Sequence, residues 1–282
     1  MILPATLALA TAFSFSFAGI LIKGVSARFG GTIASLAVAI GNIAAIGAAV
    51  FIVGLSSIGP YSLLRSVLSG IALAAGYMLF YRVLERQQVS NTFATLEVQV
   101  LILATYGIFF LGEKASIISS IGILSIIIGV LLVSVEKGMK MSSKLAPAVA
   151  ANVFWAISWI LLVYPINHTH NYLLPVWISF ITFLALVSAV MLRSAASRKR
   201  AKAIRKRGFA VGILAGVSSG TGNSLYSVLI LMKQLVLGAV ISNISPAIIA
   251  VVAHFVYHDK LTKVQILGIA AVVAGGMVLG MY

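Results

Sequence analysis

Ten apolar stretches, separated by short connectors that hold nearly all of the charge, fill this 282-residue chain. A helix rises about 1.5 Å per residue, so about 20 apolar residues cross a hydrocarbon core roughly 30 Å thick. The stretches 4–22, 31–55, 61–84, 88–111, 116–135, 145–166, 173–192, 208–232, 235–257 and 262–281 meet that length. Residues 145–192 are too long for one crossing, and Pro165, Asn167, His168, Thr169, His170, Asn171 and Pro175 divide them into two helices around a turn. A water-soluble fold is excluded by composition: 9% of the residues are charged, against about 25% in soluble domains. The bilayer is the solvent for most of this chain, and the expected class is an all-α membrane protein. Residues 1–22 read as the first transmembrane helix rather than a signal peptide, because no basic segment precedes the apolar run.

The formal net charge of +15 could suggest a nucleic-acid partner. The basic residues, however, lie in connectors between apolar runs and make no continuous soluble face, so no nucleic acid is expected. Basic loops resist translocation and so mark the cytoplasmic side. All but Arg65, Lys114 and Lys233 of the 20 Lys and Arg residues fall in the odd-numbered connectors, the densest cluster running from Arg193 to Arg207. With ten spans this count predicts a plasma-membrane protein with both termini outside. The Arg198–Arg207 run is a topology determinant, with attraction to anionic lipid heads as a second effect.

The chain also repeats itself. A shift of 146 residues brings Gly70 onto Gly216, Gly76 onto Gly222, Leu79 onto Leu225, Phe80 onto Tyr226, Lys114 onto Lys260, Gly122 onto Gly268 and Gly129 onto Gly275. It also brings acidic Glu113 onto acidic Asp259 at the same turn. A shift of 141 pairs Ala10 with Ala151 and Phe13 with Phe154. The expected architecture is therefore ten transmembrane helices in two five-helix repeats, 1–138 and 139–282. Because five is odd, the second repeat enters the membrane upside down, the inverted-repeat plan of many secondary transporters. That plan puts a small-molecule substrate near the midplane between the halves.

Phe110-Leu111-Gly112-Glu113-Lys114 followed by Gly122 and Gly129, and Ser245-Pro246-Ala247 followed by His258-Asp259-Lys260-Leu261-Thr262, Gly268 and Gly275, resemble the EamA-type repeat of the drug/metabolite transporter superfamily. The first half departs from the pattern, with Leu96-Glu97-Val98-Gln99-Val100 where a proline is usual and Ser14 where a tryptophan is common. Trp155 keeps that tryptophan in the second half. The resemblance implies a secondary carrier that exports or exchanges amino acids or similar zwitterionic or neutral solutes by alternating access, as a monomer or homodimer. It also leaves open a sugar or nucleotide-sugar carrier of the same superfamily.

Glu97 is the one acidic residue far from a predicted helix end, where a charge costs about 2.5–3.5 kcal/mol on insertion scales. It is expected to face a cavity and to exchange a proton, the candidate coupling ion, or alternatively to make a structural hydrogen bond. Its repeat mate Asn243 cannot titrate. Around Glu97 the expected cavity lining combines Ser14, Ser16, Asn42, Tyr77, Gln99, Trp155, Trp159, Asn223, Tyr226, Asn243 and Ser245, an apolar wall with a few placed polar groups. Helix packing or an interfacial belt is the plain alternative for each alone. Gly212, Gly216 and Gly220 give the eighth span a small-residue face for close helix packing. Pro246 breaks the ninth span and frees carbonyls. Glu113 and Asp259 are expected to cap or orient the helices that follow them, with a gating contact as the second reading.

Other chemistries find little support. His254 and His258 share a helical face, yet no further His or Cys stands nearby to complete a metal shell, and the chain has no cysteine. No cofactor is expected, and no P-loop pattern points to ATP. An integral-membrane enzyme on lipid-like substrates would need clustered catalytic groups, and one buried carboxylate does not supply them. A passive channel would lack saturable counterflow.

Overall fold

The computed structural model describes residues 2–86, 97–113, 117–133, 146–194, 206–242, 244–257 and 262–281. Eleven helices occupy them: α1 (Ile2–Phe29), α2 (Gly31–Val53), α3 (Pro60–Arg86), α4 (Glu97–Phe110), α5 (Ile117–Val133), α6 (Ala146–His168), α7 (Leu174–Arg193), α8 (Lys206–Leu231), α9 (Leu235–Ser242), α10 (Ser245–Tyr257) and α11 (Lys263–Met281). No strand occurs among the described residues, as expected where every backbone polar group must be satisfied within its own segment. Five helices, α1, α2, α3, α6 and α7, are long and apolar enough to cross a membrane, and shorter apolar helices lie in α4, α5, α9–α10 and α11.

Two boundaries differ from the sequence reading. The first helix continues past residue 22 to Phe29 and carries Lys23 with it; the Lys23 ammonium donates to the Leu84 carbonyl at 2.9 Å, so this charge is accommodated inside the helix pair. The ninth span appears as two helices, α9 and α10, with α10 starting one residue before Pro246. A proline is tolerated in the first turn of a helix and not in its interior, which places the break before it.

The helices of one half pack chiefly against the other half. Both α1 and α2 lie on α8, while α6 and α7 lie on α3, and α5 lies on α11. The closest approach is between α2 and α8. Gly216 lies against Val38 and Gly41, Gly212 faces Ala37, and Gly220 faces Ala45 and Asn42. A side chain on Gly41 would run into the Ile213 carbonyl. The four-residue glycine spacing thus works as close packing.

Contact order along each pair gives its direction. Phe29 meets Gly208, Val25 meets Gly212 and Phe15 meets Gly222, so α1 and α8 are antiparallel. The glycine contacts just given advance together along α2 and α8, which are parallel. Arg65 bonds to Leu161, Ser69 to Ser158 at 2.7 Å, and Gly76 lies on Ala151 and Trp155, so α3 and α6 are antiparallel. The Ser179 hydroxyl donates to the Ser66 carbonyl at 2.9 Å and Gly70 meets Thr182, making α3 and α7 parallel. Between α5 and α11, Gly129 meets Gly268, Gly275 meets Gly122, and Ser125 Oγ donates to the Ala271 carbonyl at 2.9 Å. These two are antiparallel.

Candidate functional site

A cavity of about 110 Å³ lies where α1, α3, α4, α6, α8, α9 and α10 converge. Its volume is well above the roughly 10–15 Å³ that one water requires. Of the residues expected to line it, Tyr77, Gln99, Trp155, Trp159, Asn223, Tyr226 and Ser245 do so. Tyr77 and Asn223, matching positions of the repeat, meet at this cavity. So do Phe80 and Tyr226.

The wall is largely aromatic. Tyr77 stacks on Phe183 at 4.9 Å and meets Trp155 edge-on at 5.0 Å. Phe80 lies 4.8 Å from Trp155, and Trp159 lies 4.5 Å from Tyr226, centroid to centroid. Such contacts fix ring orientation as well as burying area. No charged side chain lines the cavity among the described residues.

The polar groups on this wall fall into two sets. Asn223 Nδ2 donates to Asn42 Oδ1 at 2.8 Å, and Asn42 Nδ2 donates to the Val38 carbonyl at 2.9 Å, so Asn42 holds Asn223 from behind. Ser245 Oγ bonds to the Ala12 carbonyl at 3.1 Å and the Ser242 carbonyl at 2.9 Å. The second set is unpaired: Trp155 Nε1, Tyr226 Oη and Ser242 Oγ are buried, line the cavity and have no hydrogen-bond partner among the described residues. An orphaned buried donor costs about 1–3 kcal/mol, so three at one cavity call for a partner.

Three expected residues are placed elsewhere. Ser14 Oγ bonds back to the Ala10 carbonyl at 2.9 Å, and the Ser14 carbonyl accepts from Ser218. Ser16 Oγ bonds to the Ala12 carbonyl at 2.7 Å. Asn42 stands behind the wall. None of the three lines the cavity; short hydroxyl and amide side chains in helices bond their own preceding turn. The Glu97 side chain and Asn243 lie outside the described residues, as do the side chains of His254, His258 and Asp259. Sequence reasoning missed Ser219, four residues before Asn223 on the same helical face, and Ser242, beside the helix break.

A second, wider cavity of about 530 Å³ lies toward one end of the bundle, lined by Arg65, Tyr106, Glu113, Tyr164, His168, Ile230 and Lys233 among others. Here Glu113 caps a helix of the other half, whereas residues 114–116, which lead into the helix following it, lie outside the described residues. Its carboxylate oxygens accept from the Leu235 and Val236 N–H groups, each at 2.8 Å, so it caps α9 in the other half. Burial pushes the Glu113 carboxyl above its ordinary value, with the two N–H bonds opposing that rise. Toward the other end, the Glu85 carboxylate accepts from the Gly31 N–H at 3.2 Å, so both acids sit at helix N-termini, where the macrodipole favours them.

The family model for EamA-like transporters matches residues 2–135 and again 144–281. This chain belongs to the EamA-like transporter family. The two matches make it a tandem of EamA repeats in an all-helical membrane protein, and the family is one of transporters. A solved structure titled "Crystal structure of protein" is similar over 98% of this chain and 97% of its own, at 16% identity and a TM-score of 0.71; at that identity it speaks for a shared fold alone. No curated protein matches the chain.

Proposed function

We propose that this EamA-like protein is a secondary carrier of small zwitterionic or neutral metabolites, amino acids first among them. It would work by alternating access between two oppositely inserted five-helix halves of ten spans in total. The observation that carries the reading is the set of three polar atoms without a partner among the described residues, Trp155 Nε1, Tyr226 Oη and Ser242 Oγ, on an aromatic cavity between the halves that no described charged side chain lines. The indole N–H can only donate, so the solute must offer an acceptor there, while the two hydroxyls take either role. A multiply charged phosphate would meet no cation on the described wall. The pairwise helix directions support the inverted plan: α5 and its repeat mate α11 are antiparallel, as are α1 with α8 and α6 with α3, while α2 with α8 and α7 with α3 are parallel. Loop charge supports a plasma-membrane protein with both termini outside.

Counterflow in proteoliposomes against amino-acid, sugar and organic-cation panels tests this. Saturable exchange of an amino acid is expected. Exchange of sugars alone would move the assignment to the sugar-carrier branch, and leak without saturation would end the carrier reading. For coupling, we expect Glu97→Gln to flatten the pH dependence of exchange while leaving the protein folded; an unchanged pH profile would remove Glu97 from the mechanism.

A further inference from the structure

The two cavities are separated by very little. On α6, Trp159 lines the inner one and Val163, one helical turn on, lines the outer; on α8 the same holds for Tyr226 and Ile230. Four residues of helix rise about 6 Å, so the partition is about one side chain thick. The Trp159–Tyr226 ring pair forms its inner side, both residues buried at 7% and 3% exposure.

One helix backs that ring pair. Gly238 of α9 lies flat on Tyr226, so that a methyl group added there would stand 3.1 Å from Tyr226 Cε2. Helix α9 is eight residues long, and the residue before it, Gln234, is a poor N-cap, so its own sequence does little to hold its first turn. The carboxylate that satisfies that turn is Glu113, reaching across from the first half. Val236 packs against Gly107 beside it. Glu113 has no ion pair among the described residues, although Arg65 and Lys233 share its cavity. Its hold on α9 is therefore made of two hydrogen bonds between halves.

From this geometry we propose that Trp159 and Tyr226 form the gate between the outer cavity and the substrate cavity, and that Glu113 is the positioning residue that keeps the gate shut by latching α9 against Tyr226. The inference rests on the alternating-access reading, since a gate matters only if the substrate cavity must open to this side. A cap supplied within α9 would follow the helix wherever it moved. A cap supplied by the other half holds only while the halves stay together on this side, and it is lost when they part. Opening would break two charge-assisted bonds, withdraw Gly238 from the Tyr226 ring and let the ring swing from Trp159.

The chain has no cysteine, so Ser219→Cys places a single reporter thiol on α8 at the inner cavity, away from α9. Its reaction with a small polar methanethiosulfonate reagent would be followed on the purified full-length protein, with thermal unfolding measured in parallel. Glu113→Ala should lower the unfolding temperature and speed labelling at least about tenfold, the factor for one lost interaction of about 1.4 kcal/mol. Adding Gln234→Asp gives α9 a cap of its own. The expected result is an unfolding temperature restored toward that of the parent while labelling stays fast. If labelling returns to the parent rate together with stability, Glu113 is a structural cap and the latch is overturned. Should Glu113→Ala fail to fold alone, the double variant and Tyr226→Ala carry the test. Tyr226→Ala with Glu113 intact should label as fast as the double variant, and parent-rate labelling in it would overturn the gate. None of these readings requires transport, so a failure of counterflow would sink the carrier assignment separately.

Discussion

Pro165 and Pro246 fall beyond the first turn of predicted spans of this chain, and the polar groups around them meet opposite fates. Pro165 lies within α6 and has no N–H for the Leu161 carbonyl four residues back. Arg65 of α3 takes that carbonyl through Nε at 3.1 Å, reaches Ile160 as well, and is packed between the rings of Tyr61 and Tyr164 at 5.5 and 5.6 Å. At Pro246 the freed Ser242 carbonyl is taken by the Ser245 hydroxyl, but the Ser242 hydroxyl itself is left unpaired on the cavity wall. The first break is sealed by a cation from a neighbouring helix. The second leaves hydrogen-bonding capacity facing an empty space. In a medium that supplies no water to repair an orphan, a sealed break is scaffold and an unsealed one is an invitation to a ligand.

The largest expected effect tests the sealed site. Arg65→Ala exposes the Leu161 carbonyl without a partner and removes two cation–π contacts, and should cost about 2–3 kcal/mol of stability. Transport per folded molecule should change little, although Arg65 lines the outer cavity; a selective loss of transport at unchanged unfolding temperature would make Arg65 a solute contact rather than a seal and collapse the distinction. On the unsealed side, Trp155→Phe removes a donor that has no partner among the described residues. Substrate affinity in the counterflow assay should fall about tenfold, the equivalent of about 1.4 kcal/mol, with little change in unfolding temperature. Ser242→Ala should act in the same sense and less strongly, by about fivefold, or roughly 1 kcal/mol. Either variant binding as tightly as the parent would mean that its orphan faces no solute. The smallest effect concerns Glu113. Because burial holds its carboxyl above the ordinary value, the folded protein keeps that proton more tightly than the unfolded chain. That contribution is fully present at low pH and is lost as pH rises from the ordinary value through the folded one. Unfolding temperature should step down across that window, and Glu113→Gln should erase the step.

The five long apolar helices, the duplication and the glycine face of α8 were legible in the sequence because each is written in local spacing, by run length, by offset and by every fourth residue. The repeat register pointed to Tyr77 with Asn223 and to Phe80 with Tyr226, and these pairs meet at one cavity. Which way a residue faces was not legible. Ser14, Ser16 and Asn42 turn to their own helix or to a neighbour. Least legible was the reach of Glu113. It was expected to cap the next helix in the chain, and it caps one 122 residues away, because the halves interleave and bring the turn after α4 onto the start of α9.

At the middle of the seam between α5 and α11, Ser125 bonds to Ala271, which stands 146 residues on, the offset of the repeat itself. Under the alternating access proposed above, such a contact maps onto itself when the halves trade shapes, as do the α2–α7 and α4–α9 contacts between repeat mates, whereas α1–α8 has to be exchanged for α6–α3. On that reading the α5–α11 seam is a fulcrum, and the glycines that let its backbones touch keep it narrow enough to turn on.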